Sequence, residues 1–153
     1  MQSVSHVDDH VRAMAASPEQ TWIALLRTVR TQFGHQPWRW LAAAWGLEHP
    51  ARNGDWINSV SVGDTIPGFA VSETDPLRLL VLHGRHRFSR YELRFELDQV
   101  PRGCIEVHAK TSAEFPGARG RIYRALVISS GGHRIAVRRI LTLIAQRAEQ
   151  SQA

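Results

Sequence analysis

Residues 91–111 read YELRFELDQVPRGCIEVHAKT, and this stretch decides the fold class. From position 91 to position 98, apolar residues alternate strictly with charged ones, which is the period of a β-strand with one buried face. Pro-Arg-Gly at 101–103 predicts a tight turn. The alternation resumes at Ile105 and continues to Thr111, so the stretch predicts two antiparallel strands joined as a hairpin.

Strand signals continue on the N-terminal side of this hairpin. Leu77 to His83 (LRLLVLH) is an almost continuous apolar run, which favours a strand buried on both faces. With the hairpin, it makes a three-stranded antiparallel meander. Residues 64–71 predict another strand, and Pro67-Gly68 within it favours an edge position or a bulge. Residues 8–16 predict a strand near the N-terminus, in which Val11 lies on one side with Asp9.

Helical signals lie between the first strand and the meander. Ser17-Pro18-Glu19-Gln20 combines an N-cap serine, a proline at the first helical position and a glutamine that completes a capping box. It predicts a helix of about 12–14 residues, closed by Gly34. Residues 37–46 predict a second short helix, and residues 47–60 are rich in loop-forming residues.

The longest helical signal closes the chain. Residues 118–149 carry apolar residues at a period near 3.6, with arginines on much of the remaining surface. Ser129 to Gly132 interrupts this pattern, and two adjacent glycines cost about 2 kcal/mol in a helix interior. We therefore expect two helical pieces joined at 129–132, the stronger from about His133 to Glu149.

The composition is that of an ordinary globular protein. The chain has 153 residues, of which 43% are hydrophobic and 22% charged, and this fits one domain. We expect that domain to span 8–149, between flexible termini at 1–7 and 150–153. No stretch predicts a membrane span or a signal peptide, and Cys104 is the single cysteine. We therefore expect a cytoplasmic location.

The positive charge is concentrated in the second half of the chain. Residues 77–140 carry twelve Arg and Lys110 against five acids, whereas residues 1–76 have a net charge of −3. A basic segment is a feature of nucleic-acid binders, but here the aromatic residues are not interleaved with Arg on one exposed strand face. We therefore expect no nucleic-acid partner. We also expect no membrane partner, because an amphipathic helix beside a sheet usually belongs to the core.

The order of elements resembles the helix-grip fold of the START and polyketide-cyclase-like (SRPBCC) superfamily. Gly84–Phe88, followed by YELRFEL, is similar to the central hairpin of one of its bacterial families of uncharacterised function. Residues 123–148 are similar to that family's closing helix, although the family often has a proline where this chain has Gly131-Gly132. The resemblance covers residues 8–149. It implies an α+β fold in which a curved antiparallel sheet wraps around a long, kinked C-terminal helix, with two short helices after the first strand.

Motifs for metal, cofactor and nucleophile chemistry are missing from the sequence. The eight histidines include no H-x-x-x-H on a predicted helix and have no partner set of cysteines. There is no G-x-S-x-G motif, and the glycine pairs lack the context and the lysine of a phosphate loop. We therefore expect no metal and no cofactor.

The resemblance implies a pocket for apolar or aromatic ligands. A curved sheet cannot lie flat along a straight helix, so we expect this pocket in the gap between them. Each lining residue is more often plain core than a ligand contact. The predicted apolar and aromatic lining is Trp38, Trp45, Tyr91, Phe95, Val107, Tyr123, Val127, Val137 and Leu141. The polar candidates are Arg87, Tyr91, Tyr123 and His133.

The polar candidates have ordinary roles as well as functional ones. Arg87 could pair a ligand carboxylate, but a hairpin arginine is usually solvated. His133 could contact a ligand, but beside the glycine break it is more often part of a helix cap. A buried Tyr needs a hydrogen-bond partner, which a ligand could supply.

The sequence therefore predicts a protein that binds an apolar or aromatic small molecule or lipid, and that is more often not an enzyme. Two alternatives stay open. The first is a cyclase- or aromatase-like enzyme in which Tyr or His moves protons and Arg stabilises an enolate oxygen. The second is a cavity-free interaction module, for example a homodimer.

Overall fold

The structure is a computed structural model, and it describes residues 5–34, 56–86, 89–114 and 131–151, together with residues 117 and 122. The side chains of residues 5–7, 86, 89, 132 and 133 are not described. The predicted second helix (37–46) and most of the first piece of the terminal helix (118–128) lie outside the described residues.

The described part of the chain contains six strands and two helices. They are β1 (Ser5–Met14), α1 (Pro18–Gly34), β2 (Thr65–Ile66), β3 (Phe69–Asp75), β4 (Leu79–His86), β5 (Ser89–Val100), β6 (Cys104–Glu114) and α2 (Gly132–Gln150). The strands form one antiparallel sheet in the order β1-β6-β5-β4-β3-β2. The predicted α+β architecture is confirmed, and β4, β5 and β6 are the predicted meander.

Two strand predictions differ from the structure in detail. Leu77 has a φ of 68° and belongs to the turn before β4, so the strand begins two residues later than predicted. Burial on both faces holds only for Leu80 to Leu82, because His83 is exposed. Pro67-Gly68 is the turn between β2 and β3, and Gly68 adopts a φ of 86° there. Because β2 is an edge strand, the predicted edge position is confirmed and the alternative of a bulge at Pro67-Gly68 is wrong.

The predicted capping box begins α1. The Ser17 amide donates to Gln20 Oε1 at 3.0 Å, and the Gln20 amide donates to Ser17 Oγ at 3.2 Å. The helix is 17 residues long, because its polar last turn continues beyond the apolar stripe on which the prediction rested. Trp22, Leu25 and Val29 of that stripe are buried.

The terminal helix α2 begins where the glycine pair predicted a break. Gly131 has a φ of 66°, a left-handed conformation that cannot continue an α-helix. The side chains of Val137, Leu141 and Ile144 are almost fully buried and belong to the hydrophobic core. Arg147 donates to Thr31 Oγ1 at 3.1 Å and thereby joins α2 to α1. No helix in the described ranges is long and apolar enough to cross a membrane.

The sheet has one face toward the helices and one away from them. We call the side that carries Leu82, Phe95 and Val107 the inner face, and the opposite side the outer face. In β6, burial alternates residue by residue over the whole strand. This alternation assigns every described β-strand side chain near the meander to one face.

Candidate functional site

The inner face changes character along β6. Its inward side chains are Ile105, Val107, Ala109, Thr111 and Ala113, so large apolar groups give way to small ones toward the end of the strand. Small side chains at one end of a sheet leave room for other groups to lie over it. This end of the inner face is therefore the candidate position for a binding site.

The N-terminal half of α2 lies at the same end. Asp8 on β1 pairs in register with Thr111 on β6, and Arg134 of α2 contacts Asp8. At the other end of β1, the Ala15 amide donates to Glu149. The helix therefore runs alongside β1 in the same direction, and its first turns lie near the small residues of β6.

An aromatic group lies on one side of these small residues. The rings of Phe33 and Phe69 are 4.6 Å apart, and those of Phe69 and Tyr91 are 5.1 Å apart with an edge-on geometry. The Tyr91 hydroxyl donates to the Gly68 carbonyl oxygen at 3.2 Å. A Cβ on Gly84 would overlap the Tyr91 ring, so the tyrosine needs a glycine beneath it. We call Phe33, Phe69 and Tyr91 the aromatic wall.

A polar group lies on the other side. The register places Asp8 and His10 on the inner face of β1, because they pair with the inward residues Thr111 and Ala109. Asp8 Oδ2 lies 3.0 Å from His10 Nε2 and 3.2 Å from Arg134 Nε. We call Asp8, His10, Thr111 and Arg134 the polar cluster.

Three atoms of the polar cluster are buried without a hydrogen bond. Asp8 Oδ2, His10 Nε2 and Thr111 Oγ1 are closed to water, and none has a hydrogen-bond partner within the described part of the chain. The 3.0 Å contact between Asp8 and His10 is close enough for an ion pair, but its angles are not those of a hydrogen bond. A buried polar atom without any partner costs about 1–3 kcal/mol. The contacts of Asp8 Oδ2 with His10 and Arg134 offset part of this cost, whereas Thr111 Oγ1 has no such contact with a described residue.

Arg134 is the most exposed member of the polar cluster. Arg134 is 67% exposed, whereas the Asp8 side chain is 16% exposed. The exposed arginine therefore pairs with a carboxylate that is largely shielded from solvent.

The predicted site residues fall into three groups. Phe95, Val107, Val137 and Leu141 are at most 3% exposed and are part of the core. Tyr91 is half-buried and belongs to the aromatic wall. Outside the described residues are Trp38, Trp45, Arg87, Tyr123 and Val127, and for His133 only the backbone, in the first turn of α2, is described.

The prediction from sequence missed the polar cluster. The Asp-x-His spacing at positions 8 and 10 was the available signal, because residues two apart on a strand share a face. The sequence pattern placed Val11 on one side with Asp9. Val11 is 51% exposed on the outer side.

The outer face carries a network of paired charges. Glu96 accepts hydrogen bonds from Lys110 Nζ at 2.6 Å and from Arg94 Nε at 2.7 Å, and Glu73 lies 3.7 Å from Arg94. The hydrogen bonds from Lys110 and Arg94 hold the pKa of Glu96 below its ordinary value. The same bonds raise the pKa of Lys110 and that of Arg94. These basic residues are thus neutralised within the sheet.

A cleft of about 380 Å³ opens at the end of the β4–β5 hairpin. The register assigns most of its lining to the outer face, and Gly84, Tyr91 and Ala113 of the inner face line it as well. Its charged and polar lining is His83, Arg85, Arg90, Glu92, Ser112 and Glu114. We call this the outer cleft. Among the described residues, no three His, Cys, Asp or Glu lie close enough together to hold a metal ion.

Comparisons with known proteins identify the fold. No family model and no curated protein matches the chain. The match to CalU16 from Micromonospora echinospora covers 97% of this chain and 86% of the CalU16 chain, with 12% identity and a TM-score of 0.54. The match to the Aha1 dimer from Colwellia psychrerythraea covers 95% of this chain and 96% of the Aha1 chain, with 18% identity and a TM-score of 0.52. The match to TTHA0849 from Thermus thermophilus covers 97% of this chain and 100% of the TTHA0849 chain, with 16% identity and a TM-score of 0.54.

At identities this low, the likeness shows the fold alone. The chain has the helix-grip fold, with an open six-stranded antiparallel sheet and a C-terminal helix packed on its inner face.

Proposed function

We propose that the protein binds an apolar or aromatic small molecule between the inner face of the sheet and α2. The observation that carries the proposal is the polar cluster: Asp8 Oδ2, His10 Nε2 and Thr111 Oγ1 are buried without hydrogen bonds to described residues, beside the small inward residues of β6. A ligand with one polar group would satisfy these atoms, and its apolar body would lie over the small residues of β6. Pockets of this kind combine apolar walls with a few orienting polar groups.

The two walls define what such a ligand would meet. The aromatic wall offers ring faces and edges, and the polar cluster offers an acceptor at Asp8 and a hydroxyl at Thr111. Of the residues predicted from sequence, Tyr91 belongs to this lining. We assign Phe95, Val107, Val137 and Leu141 to its apolar base. The other proposed lining residues are Trp38, Trp45, Arg87, Tyr123, Val127 and His133.

Binding can be tested without knowing the natural ligand. Native mass spectrometry of freshly purified protein would detect a retained ligand, and thermal shift would be measured with 2-naphthol, naphthalene and oleate. A ligand at about 100 times its Kd stabilises the fold by about 2.7 kcal/mol. We expect 2-naphthol to raise the melting temperature more than naphthalene does, because only the naphthol can satisfy the polar cluster.

Two neighbouring residues of β6 provide a matched pair of variants. Ala113 is buried on the inner face, and Ser112 lies on the outer face. We expect Ala113→Leu to abolish the ligand-induced shift by filling the space, and Ser112→Leu to leave it unchanged. If no ligand binds and Ala113→Leu is destabilised by about 1–3 kcal/mol through overpacking, the gap is filled by side chains. The protein is then better described as an interaction module, which light scattering would show as a concentration-dependent mass.

The contact between Asp8 and His10 favours an acid–base enzyme as the second candidate. A carboxylate 3.0 Å from an imidazole can hold the ring in place while it accepts or returns a proton. A cyclase-like activity of this kind would disappear in His10→Gln, Tyr123→Phe or His133→Ala proteins that still fold. Turnover that survives all three substitutions would exclude this candidate and leave the binding proposal intact.

A further inference from the structure

The outer cleft differs from the rest of the outer face in how its cations are paired. Among the described residues, Arg94 and Lys110 contact Glu96, His83 contacts Glu92 at 2.7 Å, and His108 contacts Asp98 at 3.5 Å. On the described part of the outer face, the two exceptions are Arg85 and Arg90. Neither forms an ion pair or a side-chain hydrogen bond with any described residue.

These two arginines are opposite each other. Arg85 on β4 pairs in register with Arg90 on β5, so two like charges occupy one cross-strand position. Like charges directly opposite each other destabilise a sheet. An anion between the two guanidinium groups would turn this repulsion into two charge-assisted interactions.

The cleft gives such an anion a place to bind. Its volume of about 380 Å³ lies in the range of small-molecule sites, and both arginines line it. Ser112 lines it as well and offers a hydroxyl donor. Arg85, Arg90 and Ser112 lie on the face of the sheet opposite the polar cluster, so an anion held by them does not depend on the ligand proposed for the inner face.

The acids around the cleft restrict the size of the anion. Glu92 is held by His83, and Glu114, which is in register with Arg90, also lines the cleft. Binding of a long polyanion such as nucleic acid requires a track of unpaired cations. The described lining of the cleft offers two such cations, with carboxylates beside them. We propose that the outer cleft binds the carboxylate or phosphate group of a small molecule, held between Arg85 and Arg90.

The test is a titration at low ionic strength with inorganic phosphate and, separately, with succinate, followed by nitrogen–proton NMR that includes the arginine Nε signals. We expect one of the two anions to shift the signals of Arg85, Arg90 and Ser112. The anion that binds more strongly identifies whether the cleft prefers a phosphate or a carboxylate group. Arg85→Gln and Arg90→Gln should each weaken this binding by about tenfold, which corresponds to about 1.4 kcal/mol. Both side chains are exposed, so both variants should fold.

Arg78→Gln is the matched control, because Arg78 is exposed in the turn at the opposite end of β4. It removes one charge from the protein without touching the cleft and should bind as the wild type does. Equal weakening in all three variants, or no signal shift with either anion, would overturn the proposal. So would tighter binding of a short single-stranded DNA that Arg78→Gln also weakens, since that result would assign the basic surface to nucleic acid.

Discussion

The two faces of one sheet treat their polar groups in opposite ways. On the outer face, Glu96 is hydrogen-bonded to Arg94 and Lys110 at 2.6–2.7 Å. On the inner face, Asp8 and Thr111 carry buried oxygens without a hydrogen bond in the described part of the chain. Paired surface charges stabilise a fold slightly, whereas unsatisfied buried groups destabilise it. The difference locates the candidate site on the inner face, where the fold gives up stability.

The largest expected effect of a substitution is at the centre of the inner face. Phe95 is fully buried, and Phe95→Ala should lower the free energy of unfolding by about 3–5 kcal/mol, through lost burial and the cavity left behind. Urea denaturation followed by circular dichroism would measure this. Asp98→Ala, on the outer face of the same strand, should cost less than about 1 kcal/mol. A similar loss from both variants would contradict the assignment of the faces.

An intermediate effect is expected on the outer face, and it depends on pH. The pKa of Glu96 is lower in the folded protein than its ordinary value of 4.5, so the carboxylate stabilises the fold above that pH. The stabilisation is lost as the pH falls through the folded-state pKa. Glu96→Gln should cost about 1 kcal/mol at pH 7, since the side chain is 27% exposed, and should be less sensitive to acid than the wild type.

The measurement is a series of urea denaturations from pH 7 downward. Glu73→Gln is the comparison, because Glu73 is 59% exposed and lies 3.7 Å from Arg94, so it should have the smaller effect at pH 7. Equal losses from the two substitutions would show that the hydrogen bonds of Glu96 add nothing to the ionic attraction.

The smallest effect should have the opposite sign. Thr111→Val replaces a buried, unsatisfied hydroxyl by a methyl group of similar shape, so stability should be unchanged or raised by up to about 1 kcal/mol. Thr31→Val is the control. Its hydroxyl donates to the Arg27 carbonyl oxygen at 2.9 Å and accepts from Arg147, and its loss should cost about 0.5–1.5 kcal/mol.

Both threonine variants can be compared by the same urea titration. If Thr111→Val is the more destabilised of the two, the Thr111 hydroxyl has a partner in the folded protein. The polar cluster then has two buried atoms without a hydrogen bond instead of three.

Local patterns determined most of the architecture. The alternation in residues 91–111 predicted β5 and β6, the capping box at Ser17 and Gln20 predicted the start of α1, and Gly131-Gly132 predicted where α2 begins. These features are encoded by neighbours in the sequence: a period of two, a side chain reaching its own helix terminus, and a backbone angle that glycine adopts without strain.

Only the tertiary structure decided where the candidate site lies. The orientation of Asp8 and His10 depends on the register of β1 against β6, a pairing between strands about a hundred residues apart that no local pattern specifies. The contact with Arg134 depends on the position of α2 along β1, and the opposition of Arg85 and Arg90 depends on the register of the hairpin. The sequence determined which residues are polar, and long-range packing decided which of them remain without a hydrogen bond in the described part of the chain.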